Sequence, residues 1–425
     1  MRLFFLAMAA FACHAQDNPV YIQFSPSTTK GALYRPNAGP APKVAVILTH
    51  RTANFLSHIA TRELSRRGFL VLAMNPRFEN NEAEVNWDEI ALDIKSGMEF
   101  LRKQPGIEKV ILFGHSGGGT SMSYYQAVAE KGPGICQDAA KLVPCTNRLA
   151  GLPPADGAVF MDAHPGNSIN GLRSLNPAVI GNDPTKIDPA LDPFSVKNGF
   201  NPNGASNYPA EFKQRYFKAQ AERMNRLIDD ALGRVKQMDE GKYPYKDDDV
   251  FVITQGQGAR LISLDPSLRD HTAQPRKLLK NDGTIATQIV ESAMHYGAPA
   301  RSAGSFRQTA RVLTVRSFLS TNAIRATNSQ DGIDWCSTNN SVSCAVKNIS
   351  VPVLFSAMGG YIFIRDNERH YEQAASKDKD FIVLEGAEHG ATPCKACEKT
   401  PGQYSNSVKN YFDYVAQWIN SRFAK

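Results

Sequence analysis

The sequence predicts an α/β fold: a mostly parallel central sheet flanked by helices. Three observations predict it. Strand-like and helix-like segments alternate from Lys43 onward, the strand-like runs are apolar at successive positions, and one of them ends in a glycine-rich turn that opens a helix. Unbroken apolar runs suit strands covered by helices on both faces, because a half-solvated strand alternates apolar with polar residues.

The elements follow in order. Residues 44–48 form the first parallel strand, 55–66 a helix, 69–73 a strand, 87–103 a longer helix and 110–113 a strand. Residues 120–129 continue as a helix and 157–161 as another strand, while 21–34 supply antiparallel edge strands ahead of the parallel part. The pattern lapses over 164–346 and resumes with a strand at 352–356, a helix at 367–375, a strand at 381–384 and a last helix at 408–423. A connection that long must fold in its own right. The reading is one catalytic domain, 16–163 plus 347–425, with residues 164–346 inserted after the sixth strand as a cap. Within the cap, Phe212, Tyr216, Phe217, Met224, Leu227, Ile228, Leu232 and Val235 recur at helical spacing, and 250–254 with 261–264 read as a hairpin around Gly256 and Gly258.

Of the 425 residues, 42% are hydrophobic and 21% charged, enough for a large core and far from a disordered composition. Met1 and Arg2 precede an apolar stretch over 3–12 and then Cys13-His14-Ala15, which reads as a signal peptide over 1–15 and a secreted or periplasmic protein. Cys13 offers lipoprotein acylation as an alternative, although Ala10-Phe11-Ala12 lacks the expected leucine. No other stretch reaches the roughly 20 apolar residues of a membrane span. The formal charge of +7 favours anionic surfaces weakly, and no basic block suggests a nucleic-acid groove. Six cysteines fall as close pairs, Cys136 with Cys145, Cys336 with Cys344 and Cys394 with Cys397, the spacing of local disulfides in an exported chain. A metal reading for Cys394 and Cys397, with His389 and His370, lacks the four well-placed ligands that zinc needs. Neither metal nor cofactor is expected, and no phosphate-binding glycine loop is present.

The chemistry-bearing motif is Gly114-His115-Ser116-Gly117-Gly118, directly after the apolar run 110–113. A strand that turns sharply into a helix holds such a serine exposed and strained, with glycines admitting close neighbours. Serine is a weak nucleophile and needs a base with a third group orienting it. His389, just past the last strand in Glu385-Gly386-Ala387-Glu388-His389-Gly390, is the best base candidate.

On these residues and their order, the chain resembles the α/β-hydrolase superfamily over about 43–161 and 352–423. The resemblance implies an eight-stranded, mostly parallel sheet, a covalent acyl-enzyme on Ser116 and no cofactor. It also implies an acid between Ser116 and His389. Relatives usually carry an aspartate after the strand at 353–356, but this chain reads Ala357-Met358-Gly359-Gly360-Tyr361. Asp366, in the same connection, is the first candidate, with Glu368 close behind. Asp162, directly after the strand at 159–161, competes, because some relatives carry the acid there. The amide of Gly117 and that of Arg51, after the first parallel strand, form the expected oxyanion hole. The Arg51 guanidinium either meets an anionic substrate group or points to solvent or the cap. Three functions remain open: an exported hydrolase of a small carboxylic ester, an amidase or peptidase with the same machinery, and a non-catalytic binding protein suggested by the missing aspartate.

Overall fold

The computed structural model describes residues 19–25, 28–298 and 305–424; the expected signal peptide and Cys13 lie outside them. At the centre is a ten-stranded sheet. In chain order its strands are β1 (Val20–Gln23), β2 (Lys30–Tyr34), β3 (Val44–Thr49), β4 (Leu70–Asn75), β5 (Lys109–His115), β6 (Gly157–Met161), β7 (Arg276–Leu279), β8 (Ile285–Gln288), β9 (Val353–Met358) and β10 (Lys379–Leu384). They lie side by side as β1, β2, β4, β3, β5, β6, β9, β10, β7, β8. Every pairing from β4 across to β7 is parallel. The edge pairings, β1 with β2, β2 with β4 and β7 with β8, are antiparallel.

The apolar runs work as two interleaved sets. Ala45 and Ile47 of β3 and Leu112 of β5 face one side, where they pack with Ile90, Ile94 and Met98 of α2 (Trp87–Arg102) and Met122 and Tyr125 of α3 (Gly117–Lys131). Val46, Leu48, Ile111 and Phe113 face the other side, against Leu64 of α1 (Ile59–Ser65) and Tyr411, Phe412 and Val415 of the C-terminal helix Ser407–Phe423. Period-two alternation of direction thus makes both faces apolar. Asn86 starts α2 by accepting from the amides of Asp88 and Glu89.

Two expectations about the insertion need correction. Residues 276–288, placed in the cap, form the β7–β8 hairpin and extend the sheet beyond β10 to ten strands rather than eight. The Gly256 hairpin does not form either: Val250–Ile253 pairs antiparallel with the distant Arg311–Thr314, and Leu261–Ser263 is a helical turn. Leu261 is drawn away because it packs with Tyr208, Phe212 and Tyr216. The long cap helix spans Ala210–Asp239 and buries Met224, Leu227 and Ile228 against Phe251, Phe318 and Leu319. All three cysteine pairs are disulfides: Cys136–Cys145, Cys336–Cys344 and Cys394–Cys397.

Two glycines test the packing. A Cβ on Gly97 of α2 would collide with Met74 Sδ and lie 2.7 Å from Ile47 Cδ1, whereas one on Gly233, in mid-helix of the cap, meets nothing within 4 Å. Gly97→Ala should cost about 1–3 kcal/mol by overpacking. Gly233→Ala should stabilise by about 0.5–1 kcal/mol. Urea unfolding of the two variants beside the parent checks both signs.

Candidate active site

The turn after β5 has the geometry its sequence foretold. Ser116 sits at φ 55°, ψ −125°, in the left-handed half of the map, and α3 begins at the next residue. Its amide donates to Met161 O at 3.3 Å, and its carbonyl accepts from Gly119 N at 3.0 Å and His164 N at 3.4 Å. The turn is therefore tied to the end of β6. The glycines are dictated by close approach: a Cβ on Gly117 would collide with Arg51 Nη1 and His50 Nε2, and one on Gly118 with Thr49 O. The start of α3 is pressed onto the loop after β3, leaving no space for a side chain.

His389 hangs from the loop after β10, and that loop is fastened from several directions. Gly360 N donates to Ala387 O at 2.8 Å, Cys394 N to Gly386 O at 2.8 Å and Glu388 N to Thr392 O at 2.8 Å. From the unforeseen β7 hairpin, Leu279 O accepts from Glu385 N at 2.9 Å, and Asn281 N donates to Glu385 Oε2 at 2.9 Å. The cysteines suggested as metal ligands close this same loop as the Cys394–Cys397 disulfide. The imidazole itself stacks on Tyr361 at 4.6 Å between ring centres, with His115 at 4.6 Å and Phe363 at 5.6 Å.

The carboxylate that meets His389 is that of Asp162. His389 Nδ1 lies 2.6 Å from Asp162 Oδ2, while Oδ1 accepts the Met358 amide at 3.1 Å. Asp162 has no exposed surface and a φ of 41°, held by its own amide donating to Ser356 O at 2.8 Å. Burial pushes its pKa up, against the opposing pull of the His389 and Met358 contacts. With Nδ1–H donated to Asp162, Nε2 of a neutral His389 is left with its lone pair.

The first acid candidate is elsewhere. Asp366, in the first turn of the helix Ile364–Gln373, accepts from Arg173 Nη1 at 2.8 Å and Arg369 Nη1 at 3.3 Å. Burial pushes its pKa up, but Arg173, Arg369 and His370 more than reverse this and leave it lowered. Glu368 is also committed: it accepts from Ala273 N at 2.6 Å, Arg276 Nε at 2.7 Å and Arg365 Nη1 at 2.9 Å, clamping the β7 hairpin to that helix. The turn after β9 has no space for the usual aspartate. A Cβ on Gly359 would lie 2.7 Å from Leu384 O and one on Gly360 2.8 Å from Ala387 O, so this turn docks by its backbone on the His389 loop.

Histidines build the rest of the wall. His58 Nδ1 accepts from Ala60 N, so its Nε2 donates to His115 Nδ1 at 2.9 Å, and His115 Nε2 donates to His389 O at 2.8 Å. His50 Nδ1 accepts from Thr52 N at 3.1 Å and Ala53 N at 2.8 Å, which leaves the proton on Nε2, facing the space over Gly117. His164 Nε2 reaches the same space, 3.5 Å from Arg51 Nη1. From the sequence His50 reads as a structural neighbour of the elbow, whereas His164 has no part there; its only signal is its position just after β6, a strand flanking β5. The Arg51 guanidinium is buried, and its salt bridge is not to the cap: it grips Glu82, Nη2 to Oε1 at 2.7 Å and Nε to Oε2 at 3.1 Å.

The strand order through β1, β2, β4, β3, β5, β6, the strained serine after β5 and the histidine after the strand beyond β9 define an α/β-hydrolase fold. No protein-family model matches the chain, and no curated protein matches it significantly. Among solved structures it is similar to Est1E from Butyrivibrio proteoclasticus, at 11% identity and a TM-score of 0.41, covering 96% of this chain and 100% of that one. It is also similar to the α/β hydrolase GrgF from Penicillium sp. sh18, at 9% identity, TM-score 0.45 and coverage of 96% and 99%. A third is the siderophore hydrolase EstB from Aspergillus fumigatus, at 10%, 0.43, and 95% and 99%. The fold assignment rests on the chain's own sheet order and serine turn.

The buried histidines set a pH dependence. Burial first, and neighbouring charges second, hold His50, His115 and His164 well below the ordinary value. His58 falls to about 4, through burial and then His389, and His370 falls to about 3 through burial. The unfolded chain binds these protons near pH 6.5, so stability is present above that pH and lost as pH falls from it through the lowered values. Asp93, Asp162 and Asp270, raised mainly by burial (Asp270 to about 8), pull the other way, three groups against five. Between pH 7 and 4.5 the urea midpoint should fall, by a stability of order a few kcal/mol; an unchanged midpoint would mean that these rings are not held neutral.

Proposed function

We propose that the protein is an exported serine hydrolase that cleaves a carboxylic ester through an acyl-Ser116 intermediate. The carrying observation is the buried Asp162–His389 hydrogen bond at 2.6 Å, set beside a serine in an elbow turn. Adjacency supports it: His389 O is held by His115, the residue before Ser116, and Ser116 N by Met161, the residue before Asp162. His389 Nε2 takes the Ser116 proton as Oγ attacks the ester carbonyl, and Asp162 stabilises the imidazolium that forms. The Gly117 amide, at the N-terminus of α3, and the Arg51 amide stabilise the tetrahedral oxyanion. Collapse expels the alcohol, which takes its proton from His389, and water activated by the same ring releases the acid. The missing aspartate that motivated a non-catalytic reading loses its force once Asp162 stands against His389. Three disulfides support export to an oxidising compartment.

A fluorophosphonate probe should label Ser116 and nothing in Ser116→Ala, whose ester hydrolysis should fall on the order of 10⁵-fold or more. Asp162→Asn should lower kcat about 10⁴-fold. Asp366→Asn should act chiefly on stability, by stranding Arg173. Equal kinetic loss in the two aspartate variants would contradict these roles, and a matched amide turned over as fast as the ester would redirect the substrate class.

A further inference from the structure

Four arginines converge on the site, and they differ in one respect. Arg51 is paired with Glu82 and Arg173 with Asp366. Arg260 and Arg311 form no ion pair among the described residues. Arg260 donates to Asn170 Oδ1 at 2.9 Å and Ser174 Oγ at 3.2 Å; Arg311 donates to Gly256 O at 3.2 Å and Asn322 Oδ1 at 2.8 Å. Their hydrogen-bonding partners are neutral, and the carboxylates that act on them, Asp366 on Arg260 and Glu82 on Arg311, do so without contact. Both line a cavity of about 460 Å³ with Tyr361, Gln257 and His295, and among the described residues no carboxylate lines it.

This cavity adjoins the chemistry. Tyr361 stacks on His389, and Arg260 lies 5.9 Å over the ring of Phe363, which is itself 5.6 Å from the ring of His389. Burial first, then Arg173 beside Arg260 and Arg51 beside Arg311, lower both guanidinium pKa values to about 10, more than Asp366 and Glu82 raise them. An unpaired buried charge is costly and finds its partner in a ligand where the protein supplies none. A guanidinium fork matches a planar carboxylate.

Resting on the ester reading above, we propose that the substrate is an ester carrying a second, anionic oxygen group, most simply a carboxylate, which Arg260 and Arg311 receive in this cavity while Ser116 attacks the ester carbonyl. Two matched pairs test it: mono(4-nitrophenyl) glutarate against its methyl ester, and 4-acetoxybenzoate against its methyl ester, so that the charge sits on the acyl or the alcohol side. The charged member of at least one pair should have the higher kcat/KM by ten-fold or more, the yield of one charged hydrogen bond. Arg260→Gln and Arg311→Gln should each bring that ratio towards one, Arg260→Lys should retain part of it, and fluorophosphonate labelling of Ser116 reports that each variant is folded. Ratios at or below one in both pairs, with Ser116 still labelled, would overturn the proposal and leave the ester reading standing. If no ester is cleaved and Ser116 is not labelled, the ester reading fails, and glutarate binding by calorimetry decides the anion site: binding lost in Arg260→Gln sustains it, and absence of binding in the parent overturns it.

Discussion

A carboxylate with no exposed surface is the constraint on which the site depends. Asp162 is kept by two contacts, the imidazole of His389 and the amide of Met358. Removing one partner of such a pair strands the other, at a typical cost of about 3–5 kcal/mol. The ends of β6, β9 and β10 must therefore stay in register, since each supplies one member. This accounts for the fastening around them: the glycine turn after β9 docked by backbone on the His389 loop, and the β7 hairpin that catches Glu385.

Around that pair, charge is managed ring by ring. The relay from His58 through His115 to His389 O uses two neutral imidazoles, the tautomer of His58 set by the Ala60 amide it accepts and that of His115 by the His389 carbonyl it faces. It links the residue before Ser116 to the carbonyl of His389. Arg51 and Arg173 bring positive charge to the rim together with Glu82 and Asp366, so these pairs add shape and little net field. Arg260 and Arg311 are the exceptions, and the cavity they line is where the site departs from neutrality.

What could be read from the sequence was what is local. The parallel strands other than β7 announced themselves because both faces of each are covered, and Ser116 and His389 because each follows a strand in a glycine-rich setting. Sequence alone ranks Asp366 above Asp162 because what separates the two lies across space from them: Arg173 for one, His389 for the other. Asp162 had a usable signal, since it directly follows a strand that neighbours β5. The β7–β8 hairpin escapes notice because Arg276 and Lys277 make β7 look like loop, yet Asp282-Gly283 between the two strands is a strong hairpin dipeptide. The pairing of Val250–Ile253 with Arg311–Thr314 spans nearly sixty residues, and alternation alone cannot name a distant partner.

The central claim is that Asp162, and not Asp366, holds the proton on His389 Nδ1. Proton NMR of the purified protein, observing the far-downfield imidazole N–H region, tests it most directly. A resonance from a short, buried N–H···O bond is expected there, disappearing in Asp162→Asn and persisting in Asp366→Asn. A resonance that survives in Asp162→Asn, or one lost only in Asp366→Asn, would contradict the claim.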